Sequence, residues 1–243
     1  MITQAVISCG GLGTRLRPLT DNIPKVMIPI KGKPLLEQHI LQFKSHGVRE
    51  FFFTLHYLPD VIKNYFGDGK AWGVKIHYFV EATPLGSAGG IKQFEKDLHD
   101  EFFFIYGDMF SLVDYGKMSM AWKQKPSSAL GMQRMKKTSD YADADVAEID
   151  ADGKYIAIHT KPHTALYPKA YRMRGTFILR KKILSYIPPN TPYDLGHDLL
   201  PDIVNRGMGF YSYECEEYSK GIDTLEKLKE VESYLDQKHP LAL

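Results

Sequence analysis

The chain has 243 residues, of which 44% are hydrophobic and 25% are charged, and its formal net charge is +2. A chain of this length can bury a full core without disulfides or metal, and so small a net charge gives no reason to expect nucleic acid or membrane binding. Cys9 and Cys215 lack metal-ligand spacing, and no apolar run approaches the roughly 20 residues that span a bilayer. These features predict a globular protein of the reducing cytoplasm.

The first half of the chain alternates between predicted strands and predicted helices. Short apolar runs indicate buried strands, and amphipathic segments that stop at glycine indicate helices. The predicted strands are 6–8, 48–55, 74–80 and 102–106, and the predicted helices are 34–46, 59–66 and 88–98. This alternation is typical of an α/β fold, in which helices cover both faces of a mostly parallel, Rossmann-like sheet.

The second half is less regular. Its predicted strands are 128–135, 146–149, 155–159 and 175–179, and its predicted helices are 195–206 and 225–235. The turn sequence at 150–153 predicts a β-hairpin between the second and third of these strands, whereas Pro201 weakens the first helix prediction. Because no linker, repeat or low-complexity segment interrupts the pattern, we predict one domain over residues 1–243.

A glycine-rich loop follows the first predicted strand. The loop and its flank supply three glycines, a threonine and two cations: Gly10, Gly11, Gly13, Thr14, Arg15 and Lys25. Exposed N–H groups of such a loop form a concave anion site, and the two cations add positive charge, which suits a nucleoside triphosphate attacked at its α-phosphate. A P-loop is excluded because Gly-Lys-Ser/Thr is missing, and a dinucleotide fingerprint is excluded because Leu16 replaces its third glycine.

The wider stretch around this loop resembles a family signature. Gly-Gly-x-Gly-Thr-Arg-Leu-x-Pro-Leu-Thr at 10–20, followed by Pro-Lys-x-Met-x-Pro at 24–29, resembles the signature of the sugar-1-phosphate nucleotidyltransferases. The resemblance implies a GT-A-like nucleotidyltransferase fold, Mg²⁺ as cofactor, and a nucleoside triphosphate and a sugar-1-phosphate as substrates. It also implies that Arg15 holds the leaving pyrophosphate and that Lys25 stabilises charge on the α-phosphate.

The same resemblance divides the predicted domain into a nucleotide-binding half, 1–110, and a sugar-binding half, 111–243, with a β-hairpin and a C-terminal helix. Residues 81–90 resemble the nucleobase loop of the family, and those assigned to the nucleotide are Glu81, Pro84, Gly86 and Ser87. Glu81 is either a solvated residue before a helix or an acceptor for the N1–H and N2–H₂ edge of guanine. The second interpretation favours GTP, with a mannose- or heptose-type sugar-1-phosphate; UTP and CTP remain alternatives.

Several residues from Asp108 onward are candidates for the acceptor and the metal. Asp108 ends a predicted strand, so it is either a turn residue or a Mg²⁺ ligand near the sugar, and the resemblance favours the ligand. Lys161 belongs to His-Thr-Lys-Pro at 159–162, where the family usually has Glu-Lys-Pro, and is assigned to the sugar-bound phosphate. Gly175 is also assigned to the substrate. Asp143 and Asp145 are interpreted as surface charges, with contact to an unusual acceptor as the alternative.

A second metal ligand is predicted from a departure in the family pattern. Gly-Ile-Asp-Thr at 221–224 stands in the place of Asp-x-Gly-Thr, with Asp and Gly exchanged. Strand side chains keep their face every two residues, so Asp223 is predicted to take the metal-binding role. Two other functions remain open, a catalytically silent nucleotide-sugar binder and a transferase for a non-sugar acceptor such as phosphocholine. Homo-oligomerisation is also left open.

Overall fold

The computed structural model describes residues 1–137, 142, 144–163, 165–167 and 170–238, so Asp143 lies outside the described residues. The strands are β1 (Gln4–Ser8), β2 (Pro29–Ile30), β3 (Lys33–Pro34), β4 (Glu50–Leu55), β5 (Lys75–Val80), β6 (Glu101–Tyr106), β7 (Met109–Ser111), β8 (Gly131–Lys137), β9 (Val146–Ile149), β10 (Tyr155–His159), β11 (Tyr171–Arg180), β12 (Phe210–Glu214) and β13 (Ser219–Gly221). The α-helices are α1 (Leu35–Ser45), α2 (Pro59–Phe66), α3 (Gly86–Lys92), α4 (Tyr115–Trp122), α5 (Leu200–Asn205) and α6 (Leu225–Lys238).

Within the described residues, nine strands form one mixed sheet in the order β10-β9-β11-β6-β1-β4-β5, with β8 beside β11 and β12 beside β8. β1 pairs in parallel with β4 and β6, and β4 pairs in parallel with β5. β11 then pairs antiparallel with β6 and with β8. The predicted α/β fold with a mostly parallel central sheet is therefore confirmed, and the second half of the chain extends that sheet from β6.

Helices bury both faces of the central strands. On one face, Phe51, Phe53 and Phe103 pack into a core that includes residues of α1, α2 and α4. On the other face, Phe52 and Phe104 pack into a core that includes residues of α3 and α5. The continuous aromatic runs of β4 and β6 follow from this burial on both sides. No helix in the described part of the chain has the length and apolar character needed to cross a membrane.

The structure refines several predicted boundaries. The predicted hairpin is confirmed by the antiparallel pairing of β9 with β10. α3 ends at Lys92 rather than at residue 98, and the helix predicted at 195–206 is a π-helical turn (Leu195–Leu199) followed by α5. Pro201 lies in the first turn of α5, where its missing N–H costs no helical hydrogen bond. The predictions lacked α4, β7, β12 and β13, which are short and show little periodicity.

Candidate functional site

The glycine-rich loop leaves the carboxyl end of β1. Gly13 has a φ of +64°, and a Cβ there would lie 2.9 Å from Thr20 Cγ2, so backbone and packing both require glycine. A Cβ on Gly11 would meet no atom within 4 Å, so packing does not explain this glycine. Gly11 instead lines a cavity of about 170 Å³, here called the loop cavity, whose other lining residues include Ser8, Gly13, Lys25, Tyr106 and Asp108.

A lysine and an aspartate meet at the wall of the loop cavity. Lys25 Nζ lies 2.6 Å from Asp108 Oδ2, although the residues are 83 positions apart. Asp108 is held there because β6 runs beside β1 and Gly107 N–H donates to Ser8 O at 2.9 Å. Beneath the turn, His39 Nε2 lies 3.3 Å from Gly107 O, and burial lowers the pKa of His39 to about 4. A neutral imidazole therefore supports the turn that carries Asp108.

Strand pairing brings the end of β13 next to the same turn. β13 runs antiparallel to β7 with Gly221 opposite Met109, and Ile222 N–H donates to Asp108 O at 2.8 Å. The backbone of residues 221–223 therefore lies beside the turn at 107–109. Asp223 and Asp108 consequently line one cavity, as the exchanged Gly-x-Asp motif required.

The Asp223 carboxylate is ionised and paired. Its Oδ2 lies 2.8 Å from a guanidinium nitrogen of Arg15, and its Oδ1 lies 2.8 Å from Lys227 Nζ. Burial by itself raises the pKa of Asp223, but the ion pairs with Lys227 and Arg15 outweigh it and lower the pKa below its usual value. Arg15 keeps 67% of its side chain exposed, so an incoming anion can reach it from solvent.

A second cavity of about 260 Å³, here called the β11 cavity, adjoins the loop cavity and shares Tyr106 and Asp108 with it. Its other charged lining residues are Asp145, Lys161, Arg172, Arg174, Asp223 and Lys227. Sequence reasoning identified Lys161 and Asp223 but did not single out the two arginines or Tyr106. The arginines had one signal in the sequence, because they lie two residues apart and directly before the glycine that begins a predicted strand.

Gly175 also lines the β11 cavity, but its lack of a side chain has a packing cause. A Cβ there would lie 2.7 Å from Tyr106 Cδ2 and 2.9 Å from Met109 Cγ. Gly175 thus allows the Tyr106 ring to stand at the boundary between the two cavities. Lys161 reaches the cavity from the end of the β9–β10 hairpin, where its N–H donates to Asp145 Oδ1 at 3.1 Å.

The predicted base loop packs against the glycine-rich loop. Glu81 is 7% exposed, and its Oε2 accepts the N–H of Leu85 at 3.3 Å. A Cβ on Gly90 would lie 2.7 Å from Glu81 Oε1, so the glycine leaves room for the carboxylate. Burial raises the pKa of Glu81. The carboxylate therefore lies between Gly10 and α3, with the backbone of residues 82–85 folded around it.

Gly86 and Ser87 fasten the start of α3 to the segment before the π-helical turn. Gly86 has a φ of +71°, and a Cβ there would lie 2.6 Å from Tyr193 O. The Ser87 hydroxyl donates to Asp194 Oδ2 at 2.7 Å, accepts the N–H of Leu195 at 2.8 Å and lies 3.3 Å from the Tyr106 hydroxyl. Ser87 thus connects the Tyr106 hydroxyl to the start of α3 and to Asp194. Pro84 and Thr14 are exposed.

The carboxylates at the junction of the cavities suit one kind of metal. Among the described residues, no three His, Cys, Asp or Glu side chains gather into a cluster that could hold an ion. Asp108 and Asp223 offer two carboxylates at one cavity wall. Mg²⁺ commonly takes one or two carboxylates and completes its coordination shell with water and substrate phosphate oxygens. The donor set therefore fits Mg²⁺ bound together with a polyphosphate.

Known proteins resemble the chain in sequence and in structure. It is 31% identical over 225 residues to the UTP–glucose-1-phosphate uridylyltransferase of Synechocystis sp., covering 88% of this chain and 58% of that relative. It is 37% identical over 147 residues to the D-glycero-alpha-D-manno-heptose 1-phosphate guanylyltransferase of Campylobacter jejuni, covering 60% of this chain and 65% of that relative. The chain therefore spans about three fifths of the length of these relatives.

A solved structure shares the fold over nearly the whole chain. The crystal structure of HddC from Yersinia pseudotuberculosis complexed with GMP-PN aligns with a TM-score of 0.78 and 25% identity, covering 96% of this chain and 100% of that one. The profile of the family described as nucleotidyl transferase matches residues 4–235, which include both cavities. With that match and a sheet of the same architecture, the chain belongs to the nucleotidyl transferase family.

Proposed function

We propose that the protein transfers a nucleotidyl group from a nucleoside triphosphate to a sugar-1-phosphate and releases pyrophosphate. The observation that carries this proposal is the shared wall of the two cavities, where Lys25 Nζ lies 2.6 Å from Asp108 Oδ2. A triphosphate in the loop cavity and an acceptor phosphate in the β11 cavity would meet at that wall. The activities named for the relatives in Synechocystis sp. and Campylobacter jejuni support the same reaction class.

In this mechanism an oxygen of the acceptor phosphate attacks the α-phosphate in line, and pyrophosphate leaves. Lys161 would orient the attacking phosphate from the β11 cavity, and Lys25 would stabilise the charge that develops on the α-phosphate. Arg15, which is mostly exposed and lies in the stretch at 10–20, would hold the pyrophosphate. Phosphoryl-type transfer gains mostly from positioning and charge stabilisation, so the reaction requires no covalent protein intermediate.

Asp108 and Asp223 would hold Mg²⁺, which supplies charge neutralisation and orients the attacked phosphate. Both carboxylates already lie against cations, Lys25 for Asp108 and Arg15 with Lys227 for Asp223. For Asp223 the pairs with Lys227 and Arg15 lower the pKa, because a neighbouring cation favours the charged form of an acid. Ionised oxygens are the form that binds a hard divalent ion.

We favour GTP with a mannose- or heptose-type sugar-1-phosphate as the substrate pair. Glu81 forms part of the base loop, and a carboxylate can accept the adjacent N1–H and N2–H₂ donors of guanine. The heptose 1-phosphate guanylyltransferase relative and the HddC structure with GMP-PN support guanine. The uridylyltransferase relative keeps UTP as the alternative. Because Glu81 is buried, it would contact the base only where the nucleotide packs against Gly10 and the loop at 82–85.

We also propose that residues 1–243 form one domain of the cytoplasm, with the nucleotide bound mainly by residues 1–110. β6 supports the single domain, since it pairs with β1 of the first half and with β11 of the second. Cys9 and Cys215 are both free and buried, which suits a reducing compartment.

Phosphocholine is disfavoured as the acceptor because Lys161, Arg172 and Arg174 line the β11 cavity and would repel a quaternary ammonium. A silent nucleotide-sugar binder is disfavoured because Arg15, Lys25 and Asp108 are all in place.

A pyrophosphate-release screen tests the proposal. GTP, UTP, CTP and dTTP are each combined with Mg²⁺ and a panel of sugar-1-phosphates, with phosphocholine as the non-sugar acceptor. Release that requires both substrates supports the proposal, and release that Lys25→Ala abolishes assigns it to this site. Lys182→Ala, a change at an exposed lysine outside both cavities, serves as the matched control. Nucleotide-sugar binding without any release would instead support the silent binder.

A further inference from the structure

Two arginines of one strand line the β11 cavity. Arg172 and Arg174 lie two positions apart on β11, and both line the β11 cavity, as does Met173 between them. Lys161 and Lys227 line the same cavity. Arginine presents a planar fork of donors that matches a carboxylate or a phosphate with two parallel hydrogen bonds, whereas a sugar hydroxyl has no such matching acceptor pair.

A break in the strand pairing fixes the position of Arg174. β11 pairs with β8 through Met173 opposite Met135 and then through Phe177 opposite Gln133, so four steps along β11 correspond to two along β8. Bulges of this kind redirect side chains next to binding sites. Gln133, which is 3% exposed, donates from its Nε2 to Arg174 O at 2.7 Å and accepts the Tyr155 hydroxyl at 2.8 Å. A buried polar network therefore holds the backbone of Arg174 at the cavity.

The wall of the β11 cavity carries more basic side chains than the single lysine assigned to the acceptor 1-phosphate. The described lining contains four basic side chains, Lys161, Arg172, Arg174 and Lys227, and three carboxylates, Asp108, Asp145 and Asp223. Asp108 pairs with Lys25, and Asp145 lies within ion-pair distance of His197, whereas Asp223 pairs both with Arg15 and with Lys227 of the same lining. Lys161 alone matches the role of binding the acceptor 1-phosphate, so the arginine pair adds two cations on a strand further along the wall.

From this arrangement we propose that Arg172 and Arg174 select an acceptor with a second anionic group, a carboxylate or a phosphate, in addition to its 1-phosphate. The inference rests on the proposed function and names the substrate class of the same site. The reaction itself is unchanged, since the 1-phosphate oxygen still forms the new bond to the α-phosphate and pyrophosphate still leaves. The second anion stays intact on the sugar and is bound by the two guanidinium groups.

The test uses the full chain, Mg²⁺ and whichever of the four triphosphates gives the highest rate of pyrophosphate release. For each sugar, three acceptors are compared. They are the neutral hexose 1-phosphate, the corresponding uronate 1-phosphate and the hexose 1,6-bisphosphate. We expect kcat/KM for one of the two anionic acceptors to exceed that for the neutral one roughly tenfold or more, because charged hydrogen bonds are lost with the neutral sugar. The better of the two identifies the anion as a carboxylate or a phosphate.

The variants R172Q and R174Q should each reduce that preference mainly through KM for the anionic acceptor, with little change in KM for the neutral one. R172K and R174K should restore part of it, since they return the charge without the fork. R206Q, at an exposed arginine outside both cavities, is the matched control. Thermal melting of each variant shows whether it is folded. If a glutamine variant does not fold, the lysine variant at the same position still tests the role of that arginine.

Equal kcat/KM for neutral and anionic acceptors in the unmodified protein overturns the inference and leaves the proposed function standing. An equal loss for all acceptors in R172Q and R174Q also overturns it, because the arginines would then bind only the shared 1-phosphate. Absence of pyrophosphate with every pair of substrates overturns the proposed function and this inference with it.

Discussion

The loop cavity and the β11 cavity lie side by side but are built in different ways. Most of the loop cavity comes from one continuous stretch, residues 8–26, completed by the end of β6. The β11 cavity draws side chains from β6, β8, β11 and α6 and from loops at residues 145 and 161, with Gly196 of the π-helical turn beside them. A polyphosphate can be bound by backbone N–H groups and a few cations, so one short loop suffices. An acceptor with its own shape needs side chains from several strands.

If both cavities belong to one cooperative unit, a core truncation in the shared strand β6 should destabilise both of them together. Phe104→Ala is such a truncation, and we expect it to have the largest effect. Phe104 is fully buried on β6, which pairs with strands of both halves. We expect its truncation to lower the free energy of unfolding by about 3–5 kcal/mol. Denaturant unfolding followed by tryptophan fluorescence should coincide with unfolding followed by far-UV circular dichroism. Two separated transitions would show that the halves unfold independently, and Phe79→Ala, at a partly buried ring, should cost less.

Acid should destabilise the protein through the histidine beneath the shared wall. Burial lowers the pKa of His39 to about 4, from an ordinary value of 6.5. Between these two pH values the unfolded chain therefore binds a proton at His39 that the folded chain does not bind. The contribution of this group to stability is therefore complete above pH 6.5 and is lost as the pH falls toward 4. Its slope is about 1.4 kcal/mol per pH unit. His39→Gln should remove that slope, while the same change at exposed His99 should keep it, as measured by unfolding at several pH values.

Arg15→Ala and Lys25→Ala remove the two cations assigned to the triphosphate, and each also removes an ion-pair partner of a carboxylate that lines the β11 cavity. Each should slow turnover by roughly 10² or more, as expected when a positioned charge-stabilising group is lost. The melting temperature should change little, since Arg15 is mostly exposed and neither residue belongs to the apolar core. Steady-state pyrophosphate release measures the effect, with Lys182→Ala as the control. Near-normal turnover in folded Lys25→Ala protein would contradict the role assigned to this residue.

Asp108 lines both cavities and Asp223 lines the β11 cavity, so the proposed Mg²⁺ would bind at the wall that the cavities share. Excess chelator should abolish activity and added Mg²⁺ should restore it. Asp108→Asn and Asp223→Asn should each raise the Mg²⁺ concentration for half-maximal rate, roughly tenfold or more. Asp100→Asn, at an exposed aspartate remote from both cavities, should leave the requirement unchanged. If only Asp108→Asn changes it, Asp223 serves the ion pairs with Arg15 and Lys227 rather than the metal.

The smallest expected effect concerns the base. Glu81→Ala should weaken the preference for GTP over UTP by roughly tenfold, because an unpaired donor of guanine costs about 1–3 kcal/mol. Competition between equal concentrations of the two triphosphates measures the preference, and Glu226→Ala, at an exposed glutamate, is the control. A lower rate with an unchanged preference would mean that Glu81 shapes the loop at 82–85 instead of contacting the base. Preference for UTP in the unmodified protein would refute the guanine assignment alone.

The sequence by itself determined the α/β fold and the residues of the glycine-rich loop. Apolar runs such as 102–106 and the helical spacing in 34–46 report burial directly, because the repeat of a strand or helix is a local property of the backbone. The glycine requirements of the loop are local in the same way, since Gly13 needs its positive φ wherever the loop is placed.

Only the tertiary structure decided what lines the β11 cavity. The pairing of β13 with β7 carries Asp223 to Asp108, and the bulge in β11 directs Arg174 to the cavity that Lys161 enters from the hairpin. The same holds for Gly175, whose packing against Tyr106 no motif predicts. These neighbours are far apart along the chain, and strand register sets their contacts. A shift of one residue in that register would turn each side chain to the opposite face of the sheet.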